Sequence, residues 1–519
     1  MLRVYRLVTQ ALRGSSAHAF ALLLILSVAL VLLIYNLEYT PRAWFDEGWY
    51  LQLPKNLIEV GQYATRSSEG FRPYDTIVSV SPVFYLPFAL AFKVGGVGLA
   101  PARIVVVAWF LLSCLLMYAI TRKLYGSRPA LIALALFVLV KADDGFTSAL
   151  LLGRQAIAEI PSLCCFLGGM YLWLKSFDQK SNRLLIASGI LFGLAMTIKP
   201  QFLLVVPLVI VALGVLDRLY YQQRRYRYFV LPLIGGLGMV LFQYAFVFLT
   251  LGSQNFSIYL SELFAASGPQ VRLFFSPVAM QNGLRFFLRA DYMIWVLPGI
   301  VWAVHLSASR DPDNIRRCMP WVFTAGWLAW FLIASIGWAR YTFPALAVSY
   351  ILVAKLIDDL ASGDLLTETR AIAKIGTTPI ARPVAVFLLL GLLLLNSSSD
   401  VVKAVFSTPD RSPQQFAEYL DTHLDANNLI ETWEWEIAFL TNRLRYHHPP
   451  TVLLNSLIAS VNLGIPYDRS SYDFQAQQPN YIVVGPFAKW TGLYPSDFLA
   501  RQSTQVVSIG EYDLYRVNH

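Results

Sequence analysis

The chain has 519 residues, of which 56% are hydrophobic and 14% are charged, and its net charge is +9. Because a soluble domain carries roughly 25% charged residues, this composition excludes an ordinary soluble protein and indicates a surface that largely faces lipid. The basic residues stand in short clusters between apolar runs, as in the cytoplasmic loops of membrane proteins, so we predict no nucleic-acid partner. The four cysteines lie within or beside apolar runs, and no disulfide framework is predicted.

About eleven apolar runs are predicted to be transmembrane helices, since a spanning helix needs ~20 mostly apolar residues. The run 19–37 resembles a signal peptide, but no small-residue cleavage site stands out, so we interpret it as a retained first helix. The other runs are 100–121, 129–144, 156–174, 184–198, 200–216, 228–250, 292–308, 319–338, 341–357 and 383–397.

The run 82–95 is short and contains two prolines, so its placement is decided by the charges around it. If this run lies along the membrane surface, five basic clusters lie on the same side of the membrane as the basic N-terminus. If the run crosses the membrane, nearly all of these clusters lie on the side opposite to the N-terminus. The positive-inside rule therefore favours a surface helix. The clusters are Arg122/Lys123/Arg128, Lys175/Lys180/Arg183, Arg218/Arg224/Arg225/Arg227, Arg310/Arg316/Arg317 and Arg370/Lys374/Arg382.

This topology predicts two domains in a multi-pass protein of the inner or plasma membrane. Residues 1–398 form a transmembrane domain with an outer loop at 38–99, and 399–519 form a small extracytoplasmic α/β domain. In the second domain, 412–424 is predicted to be a helix, and 481–484 and 506–517 to be strands. The unusual polar residues lie almost entirely on the outer side, where we expect one active site.

Two acidic residues, Asp46 and Glu47, follow the first helix and precede an amphipathic run that extends to about Gly61. Ionisable groups at membrane depth are costly and usually functional. The alternative is a solvated acid that caps the amphipathic helix.

A third acid, Glu159, lies inside the start of an apolar helix. Asp143, Asp144 and Arg154 precede it. One interpretation is a set of carboxylates and an arginine around a polar substrate; the other is an Arg154–Glu159 ion pair that pins the helix end.

Lys199 and Arg340 interrupt apolar runs on the predicted outer side, against the positive-inside tendency. Such cations can extend to the interface, or they can neutralise an anion such as a lipid phosphate. For Arg340, which Tyr341 follows, we favour the phosphate. The neighbouring His447 and His448 point in different directions in regular structure, so no shared metal site is predicted there.

The order of these motifs resembles the C-type glycosyltransferase (GT-C) superfamily, and in particular the group of protein O-mannosyltransferases and lipid A aminoarabinose transferases. The resemblance implies a polytopic α-helical membrane protein that moves a sugar from a dolichyl- or undecaprenyl-phosphate carrier to an acceptor hydroxyl, with inversion. It implies a polyprenyl-phosphate-linked donor, membrane lipids and a glycan, lipid or protein acceptor as partners. One departure is Val80-Ser81-Pro82, where relatives often have a cation before the proline.

The resemblance also assigns roles to the polar residues. Asp46, Glu47 and Glu159 match the catalytic acids, while Lys199, Arg340 and Tyr341 match positions at the donor phosphate. Independently of the resemblance, the residue pattern makes Arg154, Asp143 and Asp144 candidates to support this site. No organic cofactor is implied, although the acids could hold a divalent cation, Mg²⁺ or Mn²⁺.

Two other classes remain as alternatives. A transporter or lipid-sugar flippase tends to place its polar groups near the membrane midplane and to show repeat symmetry, neither of which the sequence indicates. A non-catalytic membrane scaffold leaves the acidic pair and Arg340 unexplained.

Overall fold

The computed structural model describes residues 2–141, 147–266, 273–289, 293–362, 398–441, 445–467 and 472–518. Most of the chain is helical. The helices that precede the C-terminal region are α1 (Leu2–Ile34), α2 (Phe45–Val60), α3 (Pro82–Gly95), α4 (Leu99–Tyr125), α5 (Ser127–Leu139), α6 (Ala149–Leu152), α7 (Glu159–Gln179), α8 (Asn182–Ile198), α9 (Gln201–Leu219), α10 (Arg227–Ala266), α11 (Pro277–Arg289), α12 (Met293–Ser307), α13 (Ile315–Ala334) and α14 (Phe343–Ser362).

Six helices in the described part of the chain are long and apolar enough to cross a membrane. They are Ser16–Ile34, Leu99–Tyr125, Glu159–Gln179, Gln201–Leu219, Arg227–Leu263 and Pro312–Ala334. Shorter apolar helices lie at the predicted spans 129–144, 184–198 and 292–308. The predicted span 383–397 lies outside the described residues, so the total of about eleven spans stays a prediction.

Several helix ends differ from the predicted ones, and three of the differences are informative. The helix predicted over 129–144 ends at Leu139, before the polar residues of that range. The helix predicted over 228–250 continues to Ala266, with a break at Gly252. The helix predicted over 319–338 ends at Ala334, and a 3-10 turn at Ala339–Thr342 separates it from α14, so that Arg340 lies in a tight turn between two helices.

The segment between α1 and α4 contains the two helices that the sequence indicated. The amphipathic run forms α2, and α3 covers the predicted range 82–95. Pro82 occupies the first helical position of α3, where a proline loses no hydrogen bond, and the Ser81 hydroxyl accepts from Val83 N at 3.4 Å. Between the helices lie the hairpin β1 (Thr65–Ser67) and β2 (Gly70–Arg72) and a 3-10 helix at Thr76–Ser79.

The C-terminal region is a five-stranded sheet with helices, which agrees with the predicted α/β fold. Its strands are β3 (Leu429–Thr432), β4 (Arg445–His447), β5 (Tyr481–Val484), β6 (Ser503–Ile509) and β7 (Tyr512–Val517), in the order β4-β3-β5-β7-β6. Its helices are α15 (Ser412–His423), α16 (Trp435–Leu440), α17 (Thr451–Leu463), α18 (Pro486–Thr491) and α19 (Ser496–Gln502).

The prediction of one strand over 506–517 was wrong. Two antiparallel strands, β6 and β7, meet at a turn where Gly510 has φ 59°, a left-handed conformation that glycine adopts without steric cost. The parallel pairs β3–β4 and β3–β5 form the other half of the sheet.

The beginning of the C-terminal region packs with the membrane helices. Residues 398–406 are helical, and Val401 and Val405 are fully buried in the same apolar cluster as the transmembrane helices. The ring of Phe406 contacts Tyr35 at the end of α1, with 4.5 Å between centroids. The sheet therefore follows a helix that belongs to the membrane core.

The C-terminal domain sits directly on α2. A Cβ on Gly48 would lie 2.1 Å from Glu436 N, so only glycine allows the backbones of α2 and α16 to approach this closely. About two turns further along α2, the Lys55 ammonium donates to Phe439 O at 2.8 Å and to Thr441 O at 2.7 Å. This cation satisfies carbonyls that the C-terminus of α16 leaves unpaired. The contacts with α16 therefore fix α2 to the C-terminal domain.

Candidate active site

A cavity of about 870 Å³ lies where the segment between α1 and α4, the membrane helices and the C-terminal domain meet. Its described lining is mostly apolar. The charged residues in that lining are Asp46, Lys199 and Arg340. A large apolar pocket with a few convergent polar groups is the usual form of a ligand site.

Asp46 lies in the first turn of α2, where the positive end of the helix dipole favours a carboxylate. Its side chain is 23% exposed and accepts a hydrogen bond from Arg340 Nη1. The preceding Trp44 donates from Nε1 to the Gln155 side chain at 3.1 Å. Of the predicted catalytic acids, Asp46 is the one that lines the cavity.

Glu159 is the first residue of α7 and is fully buried. Its Oε1 accepts from Lys199 Nζ at 2.5 Å and also from Arg340 Nε. Its Oε2 has no hydrogen-bond partner among the described residues. Arg340 therefore bridges Asp46 and Glu159, and Lys199 completes a cluster of two acids and two bases.

The two cations are held at chain reversals between helices. Lys199 ends α8, and Pro200, which cannot continue a helix hydrogen-bond ladder, precedes α9. Arg340 lies in the 3-10 turn, which is fastened where Trp327 Nε1 donates to Tyr341 O at 2.6 Å. Both predicted phosphate-binding cations thus line one cavity.

The electrostatic environment of Arg340 suits a permanent cation. Burial alone would lower the pKa of its guanidinium, but Glu159 and Asp46 outweigh burial and raise that pKa above its usual value. Lys199 lies 5.9 Å from the ring centroid of the predicted Tyr341, which also lines the cavity. Because the cluster is neutral overall, an arriving anion would compete with the carboxylates for these two cations.

Glu47, which was predicted to be catalytic, lies in a buried ion pair away from the described cavity lining. Its carboxylate is fully buried and accepts from Arg103 Nε at 2.7 Å and Arg103 Nη2 at 2.6 Å. It also accepts from Ala156 N at 2.8 Å, and it is not in the described cavity lining. Glu47 therefore connects α2 to α4 and to the segment before α7, which positions the neighbouring Asp46.

Arg103 was missed in the sequence. It lies inside the apolar run 100–121, and its fully buried guanidinium also donates to Leu37 O at 2.6 Å. The cost of an ionisable residue within a membrane helix is the signal that could have identified it.

Arg154, the one predicted supporting residue that the structure describes, is not in the described cavity lining. Arg154 donates to Tyr35 O at 2.6 Å and Thr40 O at 2.8 Å, so it caps the end of α1 rather than pairing with Glu159. The ion pair considered for Glu159 exists, but its cations are Lys199 and Arg340. Asp143 and Asp144 lie outside the described residues.

The described residues do not fit a divalent cation at this site. No group of three or more His, Cys, Asp or Glu side chains among them is placed to hold a metal ion. The guanidinium of Arg340 hydrogen-bonds both acids, and so it occupies the position between carboxylates that Mg²⁺ or Mn²⁺ would need.

The C-terminal domain contributes a wall of the cavity that the sequence did not indicate. Phe487 and Trp490 of α18 line it, together with Thr451, Leu454 and Ile458 of α17. Phe487 stacks on Phe45 of α2 with 3.8 Å between ring centroids. No short motif marks these positions, because they come together only when the domain docks.

Comparison with known proteins supports the assignment of the fold. Residues 79–244 match a family model described as dolichyl-phosphate-mannose-protein mannosyltransferase. An uncharacterized protein of Aquifex aeolicus (strain VF5) is 27% identical over 172 residues, which are 32% of this chain and 33% of that protein. The match thus spans about a third of that relative.

Solved structures match over nearly the whole chain. ArnT from Cupriavidus metallidurans in the apo state superposes with a TM-score of 0.63 at 14% identity, covering 96% of this chain and 98% of ArnT. ArnT bound to undecaprenyl phosphate gives 0.61 at 14% identity, over 95% and 97% of the two chains. The archaeal oligosaccharyltransferase AglB from Archaeoglobus fulgidus, in complex with an inhibitory peptide and a dolichol-phosphate, gives 0.61 at 12% identity, over 98% of this chain and 75% of AglB.

The chain is therefore a multi-pass membrane protein with the GT-C glycosyltransferase fold, which confirms the resemblance seen in the sequence. Within that fold, the segment matched by the family model runs from α3 into α10 and includes both Glu159 and Lys199.

Proposed function

We propose that this protein is a polyprenyl-phosphate-dependent glycosyltransferase that moves a sugar from its lipid carrier to an acceptor hydroxyl at the outer face of the cell membrane. The observation that carries the proposal is the bridge of Arg340 between Asp46 and Glu159 at the cavity. The bridge places a carboxylate, which can remove a proton, next to a fixed cation, which can stabilise a departing phosphate. The ArnT complex with undecaprenyl phosphate and the AglB complex with dolichol-phosphate support the donor class.

The donor phosphate would bind to Lys199 and Arg340. Arginine offers a fork of donors that matches phosphate oxygens, and lysine adds a second positive charge. The prenyl chain would follow the apolar lining beside these cations, which includes Leu203, Val240 and Tyr244. Charge that develops on the leaving phosphate is then met by cations already in place.

Asp46 would act as the general base. Its carboxylate takes the proton of the acceptor hydroxyl while the hydroxyl oxygen bonds to the anomeric carbon. The bond from that carbon to the phosphate oxygen breaks, and its electron pair leaves with the polyprenyl phosphate. Attack from the face opposite the phosphate inverts the anomeric centre. Glu159, buried behind Arg340, holds the two cations in position.

A transporter is the less favoured alternative. Asp46, Lys199 and Arg340 lie at the ends of helices on one side of the protein, whereas transporters hold their substrates near the midplane on interrupted helices.

The test compares Asp46→Asn with wild-type protein reconstituted in nanodiscs. Asparagine keeps the size of the side chain but cannot accept the proton, so turnover should fall by roughly 10²–10⁴-fold while donor binding changes little. Glu59→Gln, on the exposed side of the same helix, is the matched control and should retain full activity. The measurements are transfer of label from a polyprenyl-phosphate sugar and equilibrium binding of that donor.

Two results would change the proposal. If Asp46→Asn keeps more than about a tenth of turnover while Glu159→Gln abolishes it, the general base is Glu159. If the wild-type protein neither binds a polyprenyl-phosphate sugar nor carries one through purification, as judged by native mass spectrometry, the glycosyltransferase proposal fails.

A further inference from the structure

A continuous surface of aromatic rings forms the outer side of the cavity. Trp338, two residues before Arg340, lies 6.3 Å from Trp490 between ring centroids. Trp490 in turn lies 5.6 Å from Phe487. We call these three residues the aromatic wall; all of them line the cavity, and they come from the turn before α14 and from α18.

Trp490 is not buried by the packing that holds the domain in place. Its side chain is 42% exposed, although it is among the largest apolar side chains of the C-terminal domain. The seal between the domain and α2 is made instead by Phe487 stacked on Phe45. The open indole leaves aromatic surface available to a ligand in the cavity, and covering that surface would be favourable.

The helix that carries Trp490 is rigidly held. The buried Glu434 carboxylate accepts from Gly485 N at 3.1 Å and from Ala488 N at 2.8 Å, which fixes the start of α18 to the end of β3. On the other side of the indole's helix, Lys489 Nζ lies 2.7 Å from Asp513 Oδ2 on β7. The aromatic wall is therefore preorganised, which lowers the entropic cost of binding.

The charges of the cavity restrict what this wall can bind. Among the described lining residues, the charged ones are Asp46, Lys199 and Arg340, and all three belong to the ion cluster. The proposed function assigns both cations to the donor phosphate. The described wall of the C-terminal domain thus offers no further cation for a phosphorylated or carboxylated acceptor.

The backbone also restricts the acceptor. An extended peptide commonly binds by adding a strand to the edge of a sheet. The described residues of the five-stranded sheet do not line the cavity; α17 and α18 do. The wall therefore presents aromatic faces and no ladder of unpaired amide groups.

We propose that the aromatic wall is the acceptor subsite and that the acceptor is an uncharged saccharide, an inference that rests on the glycosyltransferase function proposed above. A pyranose has a face of C–H groups that carry partial positive charge and fit the negative face of an indole. Stacked on Trp490 and Trp338, the sugar keeps its hydroxyls at its rim, where one of them can reach Asp46.

The experiment measures transfer from a synthetic polyprenyl-phosphate sugar to three acceptors: a neutral disaccharide glycoside, a serine-containing peptide and a phosphorylated glycolipid. Transfer to the neutral glycoside is expected. Trp490→Ala should raise the acceptor KM by roughly ten-fold, while the equilibrium binding of the donor stays unchanged. Trp490→Phe keeps an aromatic face and should recover part of the loss.

Phe71→Ala is the matched control, because Phe71 is an exposed aromatic residue of the outer loop that is absent from the described cavity lining. Thermal unfolding of each variant reports whether the domain remains folded, and saturation-transfer NMR with the glycoside reports binding without turnover. If Trp490→Ala unfolds the domain, Trp490→Phe and the NMR measurement on wild-type protein decide the question.

Several outcomes would overturn the inference while leaving the proposed function intact. They are transfer to the peptide or to the phosphorylated glycolipid but not to the neutral glycoside, an unchanged acceptor KM in Trp490→Ala, or no NMR signal from the glycoside. An unchanged KM together with weaker membrane association would make Trp490 an interfacial anchor. Failure of the wild-type protein to bind the donor would instead overturn the proposed function.

Discussion

The buried pair of Glu47 and Arg103 allows a direct test of how Asp46 is positioned. Both side chains are fully buried, and two hydrogen bonds of 2.6 and 2.7 Å join them. Arg103→Met removes the cation and leaves an unpaired carboxylate inside the protein. Breaking a buried pair from one side costs about 3–5 kcal/mol, so this variant should be strongly destabilised and inactive.

Adding the second mutation, Glu47→Gln, to Arg103→Met removes the unpaired buried charge. Glu47→Gln combined with Arg103→Met leaves no buried ion, and the glutamine oxygen can still accept from Ala156 N, as Glu47 Oε1 does at 2.8 Å. The remaining loss is the Arg103 donor to Leu37 O and Glu38 O, of which the buried Leu37 carbonyl costs about 1–3 kcal/mol when left unsatisfied. The double variant should therefore be more stable than Arg103→Met alone by about 2 kcal/mol.

The assay is thermal unfolding in nanodiscs, followed by intrinsic fluorescence, together with the rate of sugar transfer. Glu59→Gln serves as the neutral control, since Glu59 is exposed on the same helix. The argument fails if Arg103→Met unfolds at the wild-type temperature, or if adding Glu47→Gln makes it no more stable. Full activity in either single variant would show that Asp46 does not depend on this pair.

Three further predictions concern the cation bridge, the docked domain and pH. Arg340→Lys keeps the charge but not the fork, so donor affinity measured by equilibrium binding should fall at least ten-fold; an unchanged affinity contradicts a bidentate role. Gly48→Ala places a methyl group 2.1 Å from backbone and should expose the C-terminal domain to limited proteolysis, whereas Gly238→Ala, whose added Cβ meets nothing within 4 Å, should not. Burial and the nearby Glu434 raise the pKa of Glu436 above its usual value, so the folded state keeps a proton that the unfolded state releases above about pH 4.5. The stability that this bound proton contributes is complete below that pH and is lost as the pH rises through the pKa of the folded state. Glu436→Gln cannot ionise and should flatten the decline of the melting temperature between pH 5 and 9; an unchanged slope would refute this.

Much of the fold is readable from the sequence because lipid imposes strong rules. Apolar runs predicted the ranges of most described membrane helices to within a few residues, and the run 82–95 coincides with α3. The short strands of the C-terminal domain gave weaker signals. The two strands within 506–517 were read as one because the turn at Gly510 occupies only two residues.

The candidate site was only partly predictable, since sequence shows which residues are unusual but not which of them meet. Asp46, Lys199 and Arg340 were all identified and all line the cavity. Glu47 was indistinguishable from Asp46 as a neighbouring acid, and only the packing against Arg103 separates their environments. Trp490 and Phe487 carry no charge and no motif, so nothing in the chain marks them as cavity residues before the domain docks.

The bridge of Arg340 to Asp46 spans 294 positions of the chain. Lys55 of α2 binds carbonyls more than 380 positions later. During synthesis, the segment between α1 and α4 is therefore made long before the residues that complete these contacts. The cavity lacks its C-terminal wall until α17 and α18 have been made. A chain interrupted before α17 would contain Asp46, Lys199 and Arg340 but would lack the C-terminal wall of the cavity, so the complete cavity depends on the last domain to be made.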